Sequence, residues 1–287
     1  MKTIRLVYPQ WQGGNVARIL PELTEEEADT GYVLGAYLLN FLAPETKNKT
    51  ITVPVSEDTN RAEENGILSY RPILKQNDAA LQILKNEAPD KIVVLGGECS
   101  VSVAPFTYLA QKYENDVAMV WIDAHPDITL PQDRTYNGYH AMAVTAIMGK
   151  GDEKLVSSLP AKIDSRRILF VGLRDWERQQ IKDRQAEYGI KHLSSQEVAE
   201  ESTKVLDWLK STGAKHVVIH FDMDVLEPSE IIPAVGVVPD GMKIAEVTRV
   251  INDINREFDI VGLTVAEPMP RIAIKLKKML NQLPLLK

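Results

Sequence analysis

Six apolar runs rich in β-branched residues, separated by longer segments with helical spacing, constrain the fold of this chain more than any other feature. The runs fall at 4–8, 91–95, 118–122, 167–171, 216–221 and 260–265, with shorter candidates at 50–53 and 191–193. Between them, 31–42, 74–86, 141–148, 179–188, 195–211, 242–258 and 271–280 repeat apolar residues at helical intervals and carry polar faces. Strand then helix, repeated, predicts a parallel sheet covered by helices on both faces. No linker rich in Pro, Gly and Ser interrupts the pattern, so residues 1–287 are expected to form a single domain. Ligands in such sheets bind beyond the carboxyl ends of the strands.

Two of the runs end in unusual chemistry. Val-Trp-Ile-Asp-Ala-His-Pro-Asp closes at Asp127, and Val-Val-Ile-His-Phe-Asp-Met-Asp closes at Asp224. Side chains alternate faces along a strand, so Asp123, His125 and Asp127 project to one side if the strand continues to its tip, as do Asp222 and Asp224. An Asp after a strand is commonly a turn former or helix cap, and Asp127 or Asp224 alone would be read so. Together, these groups would press several carboxylates into a partly desolvated place at high cost. A pair of divalent ions about 3.5–4 Å apart resolves the repulsion.

The remaining features narrow the function. A net charge of −7 argues against nucleic acid and anionic membrane surfaces and suits a metal cation and a cationic substrate. No apolar stretch approaches the roughly 20 residues of a membrane span, and the amino-terminal segment reads as a strand rather than a signal peptide. The lone cysteine excludes an internal disulfide, and a cytoplasmic location is expected. Residues 226–241, with Pro228, Pro233, Gly236, Pro239 and Gly241, read as a long loop over the acidic end of the sheet.

Four stretches in order, Leu-Gly-Gly-Glu-Cys-Ser at 95–100, Asp-Ala-His-Pro-Asp at 123–127, His-Phe-Asp-Met-Asp at 220–224 and Ala-Glu-Pro at 266–268, resemble the ureohydrolase family of arginases and agmatinases. Gly-Leu-Arg-Asp at 172–175 adds a weaker match. The resemblance implies a three-layer α/β/α sandwich with a mostly parallel central sheet. It also implies two Mn²⁺ ions bridged by hydroxide, and hydrolysis of a guanidinium group to an amine and urea by that metal-bound hydroxide. Carried over by position, Asp123 and Asp222 would bridge the ions, His125 and Asp224 would complete one, and Asp127 would belong to the other. Glu267 would pair with the substrate guanidinium and His140 would relay protons, so that Glu267, His140 and Asp127 are the expected catalytic groups. The roles are chemically reasonable: a carboxylate accepting paired hydrogen bonds holds a planar cation, and imidazole is suited to passing a proton to the leaving amine. A homotrimer or hexamer is implied as well.

Several positions depart from the family. Cys99 stands where a metal-binding histidine is expected, on the ion shared with Asp127. A thiolate must lose its proton to bind and favours softer metals. Three outcomes follow: a weak manganese site, so that one ion is present much of the time; a softer ion such as Zn²⁺; or Cys99 as a nucleophile. Thr129, Tyr136 and Gly138 replace groups that read the α-carboxylate in arginases, whereas Glu177 matches an acid near the α-amino group. His220 replaces a serine found in many members, and Pro233-Ala234 falls one residue late. The expectation is a hydrolase of linear amidines that releases urea from an agmatine-like or other non-arginine substrate. The alternatives are a non-catalytic binding protein of the same fold and a cysteine-nucleophile amidine hydrolase.

Overall fold

The structure, a computed structural model, describes residues 1–17 and 19–286. In chain order its elements are β1 (Thr3–Tyr8), α1 (Glu25–Leu42), β2 (Lys49–Thr52), the hairpin strands β3 (Glu63–Glu64) and β4 (Ile67–Leu68), α2 (Tyr70–Glu87), β5 (Lys91–Gly96), α3 (Val103–Lys112) and β6 (Val117–Ile122). They continue with α4 (Ala143–Ile147), α5 (Glu153–Ser157), β7 (Ile168–Val171), α6 (Gln179–Tyr188), β8 (Lys191–Leu193), α7 (Thr203–Thr212), β9 (His216–Asp222), α8 (Ile244–Glu257), β10 (Asp259–Ala266) and α9 (Arg271–Leu280).

Eight strands form one sheet in the order β2-β1-β5-β10-β9-β6-β7-β8, and every pairing in it is parallel. Alternation along β6 sends Met119 and Trp121 to one face and Ala118, Val120 and Ile122 to the other. The first face packs on Ile73, Ala80 and Leu84 of α2, on α3, on α4 and on Ile181 of α6. The second packs on Val205, Trp208 and Leu209 of α7 and Val247, Val250 and Ile254 of α8. Helix α1 lies against β1 and β5 and meets α9. The result is the expected three-layer α/β/α sandwich.

Three local differences from the sequence expectation have physical causes. Helix α1 begins at Glu25 rather than 31 because Thr24 and Glu27 form a reciprocal capping box. Helix α3 was not expected, since Val103, Ala104, Pro105, Phe106, Thr107, Leu109 and Ala110 are all buried and leave little polar face to mark it. The stretch 195–211 is not one helix but a 3₁₀ turn at Gln196–Val198 followed by α7. Among the described residues no helix is long and apolar enough to cross a membrane.

Candidate metal centre and active site

The middle strands β5, β10, β9 and β6 are neighbours, and their carboxyl ends deliver Cys99, Glu267, Asp222 and Asp123 to one place. The route differs from the strand alternation expected for Asp123, His125 and Asp127. Strand β6 stops at Ile122, and the backbone turns immediately. Asp123 Oδ1 accepts the His125 amide at 2.6 Å, and Asp222 Oδ1 accepts the Asp224 amide at the same 2.6 Å. Two matching turns, each closed by its own aspartate, therefore gather the acids. Asp127 and Glu267 both sit at positive φ, 48° and 63°, a conformation uncommon for such residues and frequent at functional sites.

Closure of the β5 end depends on glycine. A Cβ on Gly97 would lie 1.8 Å from the Gln10 carbonyl oxygen. Gly97 donates to the Tyr8 carbonyl at 2.9 Å and accepts from the Glu267 amide at 2.8 Å, fixing β5 to β10 just below the site. The next residue but one, Cys99, donates its thiol to Asp222 Oδ2 at 3.0 Å and its amide to Glu267 Oε1 at 3.1 Å.

Among the described residues, three groups of donors have ligand atoms lying within 4.8 Å of one another: Cys99, Asp123, His220 and Asp222; Cys99, His140 and Glu267; and Asp123, His125 and Asp224. Asp123 and Cys99 each belong to two of them. Asp127 falls outside all three, although it is buried, near the Cys99 thiol, and has one carboxylate oxygen with no partner. His125 Nδ1 lies 3.1 Å from Asp224 Oδ2 and 3.5 Å from Asp123 Oδ1. A thiol, imidazoles and crowded carboxylates with free lone pairs are a donor set that fits divalent ions.

Electrostatics point the same way. Burial, then the Asp224 charge, lifts Asp123 to about 6. Burial and neighbouring acids also push Asp127, Asp222 and the Cys99 thiol well above their ordinary values. Asp224 escapes: burial would raise it, but His125 pulls it to about 2. Burial acts downward on His125 and His140, yet Asp224 and Asp123 around the first, and Tyr136 and Glu267 around the second, hold both well above the usual imidazole value. Without cations this pocket retains protons.

Above the donors lies a cavity of about 210 Å³. Its floor is Cys99, His125, Asp127, His140, Asp222, Asp224 and Glu267, and its walls include Val16, Ile19, Ile128, Trp176, Ile181, Val235 and Val237. The long loop expected at 226–241 is present, closed by a bridge between Leu226 and Met242, and supplies Val235–Val238 to the wall. Glu177 reaches the cavity but is exposed, and its carboxylate pairs with Arg178 at 2.9 Å. No lysine or arginine is among the described residues lining it.

Three further residues, Tyr32, Trp121 and Arg174, serve the site without having been singled out for it from the sequence, and Tyr136, read there only as a departure from the family, serves it too. Tyr32 donates to Glu267 Oε2, and Trp121 Nε1 donates to Asp123 Oδ2 at 2.8 Å. Tyr136 bonds His140 Nε2 at 2.6 Å. Arg174 grips the carbonyls of Asp224 at 3.2 Å, Val238 at 2.8 Å and Pro239 at 2.9 Å, tying the loop to the site. Long-range contacts alone reveal the roles of Tyr32 and Arg174, whereas Trp121 lies two residues before Asp123 and Tyr136 four before His140.

A family model of the arginase family matches residues 49–280. The chain belongs to the arginase family. A Staphylococcus aureus arginase is 25% identical over 222 residues, covering 74% of this chain and 72% of that protein. In three dimensions the Entamoeba histolytica arginase, solved with L-ornithine, superposes with a TM-score of 0.76 at 19% identity, covering 94% of this chain and 92% of that one. The native arginase from Bacillus caldovelox gives 0.74 at 20% identity over 99% and 100%. At family level the chain is thus a metal-dependent hydrolase of guanidino carbon–nitrogen bonds.

Proposed function

We propose that this protein hydrolyses a small guanidino cation lacking an α-carboxylate, of the agmatine type, to urea and an amine. The carrying observation is the pair of positions Tyr136 and Gly138, which lack the small polar side chains that arginases offer an α-carboxylate there. Tyr136, in place of a small polar group, fills that side and uses its hydroxyl on His140 and the Asn15 amide.

Asp123 and Asp222 would be shared between two ions, with His125 and Asp224 on one and Cys99 and Asp127 on the other. What two divalent ions supply, when bound, is a water acidic enough to lose its proton near neutrality. The chain's own groups do the rest. Glu267 has its two oxygens oriented by Tyr32 and the Cys99 amide, and Oε2, with Tyr32 as its one partner, keeps a lone pair for the guanidinium. His140 Nδ1 stands 3.2 Å from Glu267 Oε1, and its Nε2 faces Tyr136. It is placed to pass a proton to the amine as the carbon–nitrogen bond breaks. Manganese is the proposed metal for the oxygen-rich side, with a softer ion beside Cys99. We also assign the protein a cytoplasmic location and a homo-oligomeric state, a trimer or hexamer.

The cysteine-nucleophile reading is less well supported, because burial and then Asp222 push the Cys99 thiol up, away from the reactive thiolate. Urea release from agmatine, other carboxylate-free guanidines and L-arginine, with manganese, zinc or cobalt supplied separately, tests the proposal. Preference for L-arginine would overturn the substrate class. No urea with any ion would favour a non-catalytic binding protein.

A further inference from the structure

His220 belongs to none of the roles above, yet it is one of the most tightly specified side chains in the molecule. It lies on β9 two residues before Asp222, and so on the same face. In register it is opposite Trp121 of β6 and Thr264 of β10. Its ring stacks on Trp121 with centroids 3.6 Å apart and planes 6° apart. Ser102 Oγ meets its Nδ1 at 2.8 Å. Stack and hydrogen bond together leave the ring no freedom, and the residue is 0% exposed.

What remains is Nε2, which has no hydrogen-bond partner. A buried polar nitrogen is rarely left bare, because water no longer compensates it. The ring offers a nitrogen to the place where the Cys99, Asp123 and Asp222 ligand atoms gather, all four mutually within 4.8 Å, and Nδ1 is already engaged by Ser102. With Ser102 Oγ accepting the Nδ1 proton, Nε2 presents its lone pair to that point. Ligating histidines are usually oriented in this way, through the far ring nitrogen.

We infer that His220 is a further ligand of the ion assigned above to Cys99 and Asp127, joining Cys99, Asp123 and Asp222 as four closely grouped inner donors for a zinc-like ion. The inference rests on the metal-dependent reading above. All four donors are buried, and one sulfur, one nitrogen and two oxygens match the preference of zinc or cobalt more than of manganese. The outer group, Asp123, His125 and Asp224, lacks sulfur and is partly open through His125. The two positions are therefore unequal: a closed, softer inner site and a harder outer one, joined by the shared carboxylates.

The test is metal binding by the full chain, stripped and then titrated with zinc or cobalt. Wild type is expected to show a thiolate-to-cobalt charge-transfer band at the first equivalent, and sulfur and imidazole donors in zinc X-ray absorption. His220→Ala should weaken the first equivalent by at least the roughly 10–100-fold that loss of even an outer-shell partner costs, with a changed cobalt spectrum. If His220→Ala does not fold, as judged by circular dichroism, Ser102→Ala keeps the ring but frees it, and should weaken the same equivalent about tenfold. A folded His220→Ala, or failing that a Ser102→Ala, with wild-type affinity and spectrum would overturn the His220 assignment alone. Wild type that takes up no ion under any condition would overturn it together with the metal-dependent reading.

Discussion

The Cys99 thiol donates to Asp222 Oδ2 at 3.0 Å, so a sulfur and the carboxylate proposed to bridge two ions share one proton at the floor of the cavity. Burial raises both groups; Asp222 then raises the thiol further, while Asp224 and Asp123 raise Asp222 against the lowering effect of the Cys99 hydrogen bond. An ion entering there must displace that proton, which makes its binding pH-dependent and selective for metals that favour thiolate.

Replacing the sulfur should change the selectivity. Cys99→His is expected to raise manganese occupancy toward two ions per chain when both proteins are loaded identically. Elemental analysis reads this directly. Unchanged stoichiometry and metal preference in the variant would remove Cys99 from the ligand set.

Glu267 separates substrate holding from ion holding. Glu267→Gln should keep the metal content and lower urea formation by a factor on the order of 100, the usual cost of removing one oriented charge partner. Full turnover in that variant would dismiss its assigned role.

The crowded acids also set a pH dependence. Asp123 rises from an ordinary 3.8 to about 6, through burial and then Asp224. The metal-free folded chain therefore keeps a proton that the unfolded chain has already released. Stability from this source is complete below about pH 4 and is lost as the pH rises through 6, about 3 kcal/mol in all. Denaturant melts in chelator from pH 4 to 7 should show the decline, and Asp123→Asn should reduce it, with Asp127 and Asp222, raised in the same way, supplying the remainder. Bound ions should offset the loss at the upper end. A metal-free protein that gains stability across this window, with no change in Asp123→Asn, contradicts the sign.

Gly97→Ala tests the fixing of β5 to β10. The added methyl would fall 1.8 Å from a backbone oxygen, which no side-chain rearrangement relieves. A loss of at least about 1–3 kcal/mol is expected from the forced backbone shift. Equilibrium unfolding measures it, and a near-neutral result would mean that the segment holding Cys99 moves freely.

Much of this molecule was legible in its sequence because the cues were local. The β-branched runs mark strands, and the helical bounds 179–188 and 271–280 coincide with α6 and α9. The acids at 123–127 and 222–224 could be placed at strand tips by the same periodicity. What escaped depends on contacts distant in sequence. Strand alternation grouped Asp123 with His125, but a side-chain-closed turn does the grouping in the folded chain. Tyr32 reaches Glu267 across 235 positions, and no spacing rule finds such a pair. His220 was visible as a departure, but its bare nitrogen appears only once Trp121 and Ser102 are seen to hold the ring.

The cavity floor, His140 apart, comes from the turns at adjacent strand tips, whereas its walls come from separate stretches near Val16, Trp176 and Val235. Reactivity and recognition are thus carried by different parts of the chain. Changes in the wall segments can retune which molecule fits while the ion cage keeps its shape, a division of labour that leaves room for one scaffold to diversify.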